Sequence, residues 1–292
     1  METTPKFRVS LCQIKVTFDK EQNLARAAKM LEQEAAKADL LVLPEMFICP
    51  FGGVPSQYAE PIDSYKTDPT AKSMRMVSEI AKKYGKYIIA GSIPELREDG
   101  KVYNTMACFD RQGELAVKYS KCHLFDVNIK GGIKCTESKH ITPGDHYAVF
   151  NTEFCKIGLG ICYDIRFPEF TSAMMQKDPE IKVMCYAASF NTTTGPLHWD
   201  IYRKARAVDN QVFMLLCAPA PAPEEKGIYP TYGHSSVVTP WGKLMGDAEM
   251  NEMALNCEID LGEVEKFREE IPILLKHKRR DMYEVNMLKP LL

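Results

Sequence analysis

Apolar residues recur along this chain in two rhythms. Phe7-Arg8-Val9-Ser10-Leu11-Cys12 alternates apolar with polar, which predicts a strand. Asp19 is a suitable helix N-cap, with Gln22 three residues on, and Leu24, Ala27, Ala28, Leu31 and Ala35 then recur at helical spacing. A continuous apolar run, Leu40-Leu41-Val42-Leu43, starts after Asp39 and stops at Pro44-Glu45, completing a strand–helix–strand unit. Residues 70–84 predict a helix with Met74, Val77, Ile80 and Ala81 on one face, ended by Gly85; Tyr87-Ile88-Ile89-Ala90 follows as a buried strand. Residues 103–109 and 115–119 read as a hairpin around Asp110-Arg111-Gln112-Gly113. Residues 156–161 and 183–187 are two more strands with a helix over 170–176 between them. A helix over 199–210 leads into the strand Val212-Phe213-Met214-Leu215-Leu216. Residues 235–238 and 254–259 are expected as strands framing the turn Pro240-Trp241-Gly242-Lys243.

Strands and helices interleave, and no low-complexity linker divides them. The expected fold is a layered α/β arrangement in one domain over residues 1–292, with its core over about 7–260. The breaker-rich stretch Pro219-Ala220-Pro221-Ala222-Pro223-Glu224-Glu225-Lys226-Gly227 is too short to link domains and reads as a surface loop or lid. Residues 261–292 are charged and weakly periodic, with Ile271-Pro272 breaking any helix, and are expected against another subunit.

Composition narrows the function classes. The 292 residues are 45% hydrophobic and carry a formal net charge of -2, so no basic face for nucleic acid is implied. No apolar run is long enough to span a bilayer, and Met1-Glu2-Thr3-Thr4-Pro5-Lys6 has no signal-peptide pattern, so a cytoplasmic protein is expected. The ten cysteines include no CxxC pair and no zinc-like cluster, so no cysteine-held metal is expected. Cys12, Cys108, Cys155, Cys185 and Cys217 lie in or beside strand-like runs and read as small core hydrophobes.

Cys162 differs in its neighbours. It ends the glycine-spaced strand Gly158-Leu159-Gly160-Ile161 and precedes the polar stretch Tyr163-Asp164-Ile165-Arg166. A thiol held at a rigid sheet edge suits a nucleophile, which then needs a base and a cation. Glu45, at the mouth of an apolar strand, is poorly solvated and so has the raised pKa that a general base needs, unless it is a solvated loop glutamate. Lys121 ends the hairpin strand; it favours a thiolate and can neutralise an oxyanion, unless it is a surface lysine. His123 and Asp126 suggest a Cys–His pair, but a hydrogen-bonded structural histidine is the preferred reading of His123.

Together these segments resemble the nitrilase superfamily of carbon–nitrogen hydrolases. The matching residues are Leu43-Pro44-Glu45, Lys118-Tyr119-Ser120-Lys121 with His123-Leu124-Phe125-Asp126, and Gly160-Ile161-Cys162-Tyr163-Asp164, and the resemblance runs from about Phe7 to Tyr283. It implies a four-layer α-β-β-α subunit and a homodimer formed through helices, those following Phe167 and near Trp199 being the expected contributors. It implies a catalytic triad of Glu45, Lys121 and Cys162, with Glu137 assisting the base, and an oxyanion held by Lys121 and the Tyr163 backbone N–H.

Within the superfamily the likeness is greatest to the omega-amidases, carried by Phe190-Asn191-Thr192-Thr193-Thr194-Gly195-Pro196-Leu197-His198-Trp199, Tyr163-Asp164-Ile165-Arg166-Phe167 and Tyr232-Gly233-His234-Ser235. That branch hydrolyses the distal amide of 2-oxoglutaramate and 2-oxosuccinamate through a cysteine thioester, a mechanism that implies no metal and no organic cofactor. Such substrates carry a carboxylate, for which Arg166 is the expected clamp, with Thr194 and the Phe190 ring completing the pocket; a structural salt bridge is the competing role for Arg166. The chain departs from the family pattern at Met46, Ile129-Lys130-Gly131-Gly132, residues 176–180 and Ala187-Ala188-Ser189. A carbamoyl-amine or ureido acid hydrolase, a non-catalytic scaffold of the same fold, and a thiol redox sensor are the alternatives.

Overall fold

The computed structural model describes residues 5–222, 227–285 and 287–288. Pro223-Glu224-Glu225-Lys226 of the expected loop, and the last residues of the expected tail, lie outside them.

Two sheets stack face to face. The first contains β1 (Lys6–Gln13), β2 (Leu40–Val42), β3 (Tyr87–Ile89), β4 (Ile93–Leu96), β5 (Val102–Phe109), β6 (Leu115–Ser120) and β15 (Met253–Asp260). Its order is β15-β1-β2-β3-β5-β4, with β6 also paired to β5. A separate ribbon joins β7 (Asp126–Asn128) to β8 (Lys134–Thr136). The second sheet contains β9 (Val149–Asn151), β10 (Lys156–Ile161), β11 (Ile181–Ala187), β12 (Phe213–Cys217), β13 (Ser236–Val238) and β14 (Leu244–Asp247), in the order β14-β13-β12-β11-β10-β9.

Helices α1 (Lys20–Glu34) and α2 (Lys72–Tyr84) cover the outer face of the first sheet, while α3 (Pro168–Lys177) and α4 (Gly195–Asn210) cover the second. The result is the four-layer α-β-β-α sandwich expected. Strand alternation builds it. Val9, Leu11, Leu40, Val42, Ile89, Met106 and Cys108 enter the core shared with the second sheet. Their neighbours Cys12, Leu41, Ile88, Ala107 and Phe109 enter the core beneath α1 and α2. Both faces are buried, which is why β2 reads as an unbroken apolar run.

Local signals behave as expected at the helix ends. The Asp19 side chain accepts from the Gln22 backbone N–H at 3.0 Å and caps α1. Gly85 stops α2 in the left-handed conformation, φ 62°.

Several expectations need correction. The turn at 240–243 joins β13 to β14, not to residues 254–259; those belong to β15, which pairs antiparallel with β1 along its whole length. The sequence reading missed β14 because Leu244–Asp247 shows no clear alternation. The helix expected at 199–210 begins at Gly195, with Pro196 in its first turn, where a missing N–H has no helical partner to lose. A short helix α5 (Gly262–Glu270) occupies the charged tail; it buries Val264 and Phe267 and ends where Ile271-Pro272 was expected to break it. The segment at 219–222 is not wholly at the surface: Ala220 is buried, and its N–H bonds to the Ile14 carbonyl at 2.9 Å. Cys12, Cys108, Cys185 and Cys217 are core residues, but Cys155 is only half-buried.

Candidate active site

Three strand ends converge between the two sheets. Glu45 follows β2, Lys121 follows β6 and Cys162 follows β10. The first two leave one sheet and the third leaves the other, so the site straddles the sandwich. The backbone turns sharply at two of these ends. Cys162 has φ 44° and Met46, next to Glu45, has φ 53°, both in the left-handed region that non-glycine residues rarely adopt. Close packing fixes the turns from behind. A Cβ on Gly91, which has φ 56°, would strike the Pro44 carbonyl, and one on Gly160 would enter the Tyr186 ring.

The side chains form one hydrogen-bonded cluster. Lys121 is fully buried, and its Nζ donates to Glu45 Oε1 at 3.0 Å and to both Glu137 oxygens at 3.2 and 2.9 Å. Burial alone would lower the Lys121 pKa, but Glu137 and Glu45 together hold it well above its usual value, so it stays an ammonium. Glu45 is raised to about 6, chiefly by burial, which outweighs the nearby Lys121. Its Oε2 accepts no hydrogen bond from the described residues.

The Cys162 thiol is pushed well up, by burial first and by Glu45 second, while Lys121 and the Ser189 N–H pull it down. Lys121 therefore acts in the direction expected of it but does not by itself generate a thiolate; the resting form is a thiol beside a buried carboxylate. His123 is structural, as preferred. Its Nδ1 lies 2.7 Å from Asp164 Oδ1 and its ring stacks on Phe167, while Asp126 bonds instead to Ser138.

A small cavity opens onto the sulfur; Lys121, Phe125, Cys162, Arg166, Ser189 and Phe190 are among the residues that line it. Arg166 sits across it with neutral polar partners: Nη1 donates to Tyr202 Oη at 3.1 Å and lies 3.1 Å from His198 Nδ1. Burial and Arg166 both lower the His198 pKa, which keeps that ring neutral. The guanidinium also stacks near the Phe190 ring, 4.9 Å from its centroid. Thr194 borders the cavity, with its backbone N–H and hydroxyl tied to Asn191 Oδ1.

The family model described as carbon-nitrogen hydrolase matches residues 8–269. This chain belongs to the carbon-nitrogen hydrolase family. It is 43% identical to omega-amidase NIT2-A of Xenopus laevis over 282 residues, covering 96% of this chain and 98% of that protein. It is 40% identical to omega-amidase NIT2 of Homo sapiens, covering 97% and 99%. Saccharomyces cerevisiae Nit3, a member of branch 10 of the nitrilase superfamily, superposes with a TM-score of 0.80 at 35% identity, covering 94% of this chain and 97% of that one.

Three polar residues at this carbon-nitrogen hydrolase site were not picked out from the sequence. Asn104 Nδ2 donates to Glu45 Oε1 at 2.9 Å and to Glu137 Oε1 at 3.3 Å, bridging the two acids. Asp164 accepts from Tyr119 Oη at 2.7 Å, the His123 N–H at 3.0 Å and the Ile161 N–H at 2.9 Å, and so ties the strand ends beside Lys121 and Cys162. The Ser189 N–H points at Cys162 Sγ at 3.4 Å. Asp164 lies inside the nucleophile motif and Ser189 in a segment that departs from the family pattern, but no spacing signal distinguishes either from an ordinary loop residue.

Proposed function

We propose that this chain is a thiol-dependent omega-amidase. It hydrolyses the distal amide of short 2-oxo acid monoamides, 2-oxoglutaramate and 2-oxosuccinamate, to the dicarboxylate and ammonia. One observation carries the reading: in a buried Glu–Lys–Cys cluster, the lysine and the cysteine line a small cavity together with an arginine whose polar partners are neutral. Such a guanidinium is available to bind a substrate carboxylate through two parallel hydrogen bonds.

The chemistry follows from the charges. Glu45 takes the proton of the Cys162 thiol as the sulfur attacks the amide carbon, so thiolate character develops only with substrate in place. Lys121 and the Tyr163 backbone N–H stabilise the oxyanion; each such donor contributes about 3 kcal/mol. Glu45 returns the proton to nitrogen, ammonia leaves, and a thioester remains on Cys162. Glu45, with Glu137 in support, then activates the water that cleaves it. Arg166 holds the carboxylate, with Phe190 and Thr194 closing the acyl pocket.

We propose further that the chain works as one domain in a cytoplasmic homodimer. The ten cysteines are all free, which suits a reducing compartment, and among the described residues no helix is long and apolar enough to cross a membrane. On α4, Leu197 and Ile201 are 65% and 62% exposed and offer an apolar patch for a second copy.

A panel of short amides and ureido acids, read by ammonia release, tests the function. The 2-oxo acid monoamides are expected to have the highest kcat/KM, and Arg166→Ala is expected to raise KM for acidic amides at least about tenfold more than for neutral ones. Faster turnover of ureido acids would identify a carbamoyl-amine hydrolase instead, and no turnover with sluggish alkylation of Cys162 would identify a scaffold.

A further inference from the structure

Among the described residues that line the two cavities at the reaction centre, three buried polar atoms have no hydrogen-bond partner: Glu45 Oε2, Arg166 Nε and Ser189 Oγ. The proposed reaction uses the first as the base and the second within the carboxylate clamp. The third has no role in it. A buried hydroxyl with no partner is costly, by about 1–3 kcal/mol, and a ligand that completes its bonding removes that cost.

Position indicates which part of a ligand would do so. The Ser189 backbone N–H lies 3.4 Å from Cys162 Sγ, so the residue stands beside the attacking atom rather than at the clamp. It borders two adjoining cavities, one containing Arg166 and Lys121 and the other containing Glu45. Lys121 and the Tyr163 N–H serve the carbonyl oxygen from the first. The leaving nitrogen must face Glu45, which returns a proton to it, and so faces the second. On that side Thr231 already donates to the Ala220 carbonyl at 3.1 Å, and the Tyr229 hydroxyl already accepts from Asn191 at 2.7 Å. Ser189 is left as the hydroxyl with no partner.

We infer that Ser189 is a specificity-determining residue whose hydroxyl accepts a hydrogen bond from an N–H of the scissile primary amide. This rests on the amidase reading above and assigns the recognition of the leaving group within it. As the C–N bond of the tetrahedral adduct breaks, Glu45 supplies the third proton of ammonia. Ser189 Oγ holds one of the two N–H bonds that the nitrogen already carries and keeps its lone pair turned toward Glu45. No other group is consumed.

The test compares the full-length enzyme with Ser189→Ala on 2-oxoglutaramate and on the matching 2-oxoglutarate 5-methyl ester. The two substrates share the carboxylate, the 2-oxo group, the attacked carbon and the thioester, and the ester has no N–H. The ratio of amide to ester kcat/KM is expected to fall about tenfold in Ser189→Ala, the worth of one hydrogen bond made in a desolvated site. Because it is a ratio, a change in the folded fraction does not move it. An unchanged ratio, whether both activities fall or neither does, overturns the inference. Failure of the unsubstituted enzyme to turn over 2-oxoglutaramate would sink the amidase reading itself, and is a separate outcome.

Discussion

The burial that lifts Glu45 to about 6 acts on stability and reactivity in opposite senses. A carboxyl whose folded pKa exceeds its usual value binds more protons folded than unfolded, so its ionisation opposes folding. The penalty is absent below the ordinary glutamate range, near 4.5, and complete above about 6. Glu45→Gln is therefore expected to abolish turnover yet raise the unfolding temperature by about 2–4 °C at pH 7.5, with no gain at pH 4.5. Differential scanning fluorimetry at the two pH values checks this. In the unsubstituted enzyme kcat/KM should fall as pH drops through about 6, because the protonated base cannot accept the thiol proton. Much of this was legible in the sequence: an acid after Leu-Val-Leu-Pro is stranded at an apolar strand end. Asn104 was not legible, because its role depends on β5 lying beside the loops that carry two acids remote in sequence.

Among the elements, the nucleophile turn and the strand end beside Lys121 are held by one carboxylate. Asp164 is fully buried and joins Tyr119 and His123, which flank Lys121, to Ile161, which precedes Cys162. Small displacements of reacting groups are costly to rate, so Asp164→Asn should lower kcat at least about tenfold while KM stays within about twofold. Tyr119→Phe, which removes one of these bonds without touching the nucleophile's own strand, should show the same split to a smaller extent. Steady-state kinetics beside circular dichroism would separate this from simple unfolding. The strands with long apolar or alternating runs were readable; β4, β7, β8, β9 and β14, three or four residues each, were not. Segments that short carry too little periodicity to separate from loop unless, like β2 and β3, they belong to a continuous apolar run.

At the scale of the molecule, the site exists only while both sheets are in register, since Glu45 and Lys121 come from one and Cys162 from the other. The outer face of α4 is the natural place to interfere with assembly without disturbing that register. Leu197→Asp with Ile201→Asp is expected to halve the mass seen by analytical ultracentrifugation; an unchanged mass would place the interface elsewhere. Layering was visible from the interleaving of strands and helices. Sheet order was not, because nothing local in residues 253–260 announces a partner at the opposite end of the chain.

That long-range pairing has a consequence for biosynthesis. β1 leaves the ribosome well before its antiparallel neighbour β15, with which it is matched from Lys6 with Asp260 to Gln13 with Met253. Until β15 has emerged, the strand that carries Phe7, Val9 and Leu11 keeps one edge open to any passing chain. The nascent polypeptide is thus open to mispairing at β1, and the closure of this strand pair is a late, non-local step.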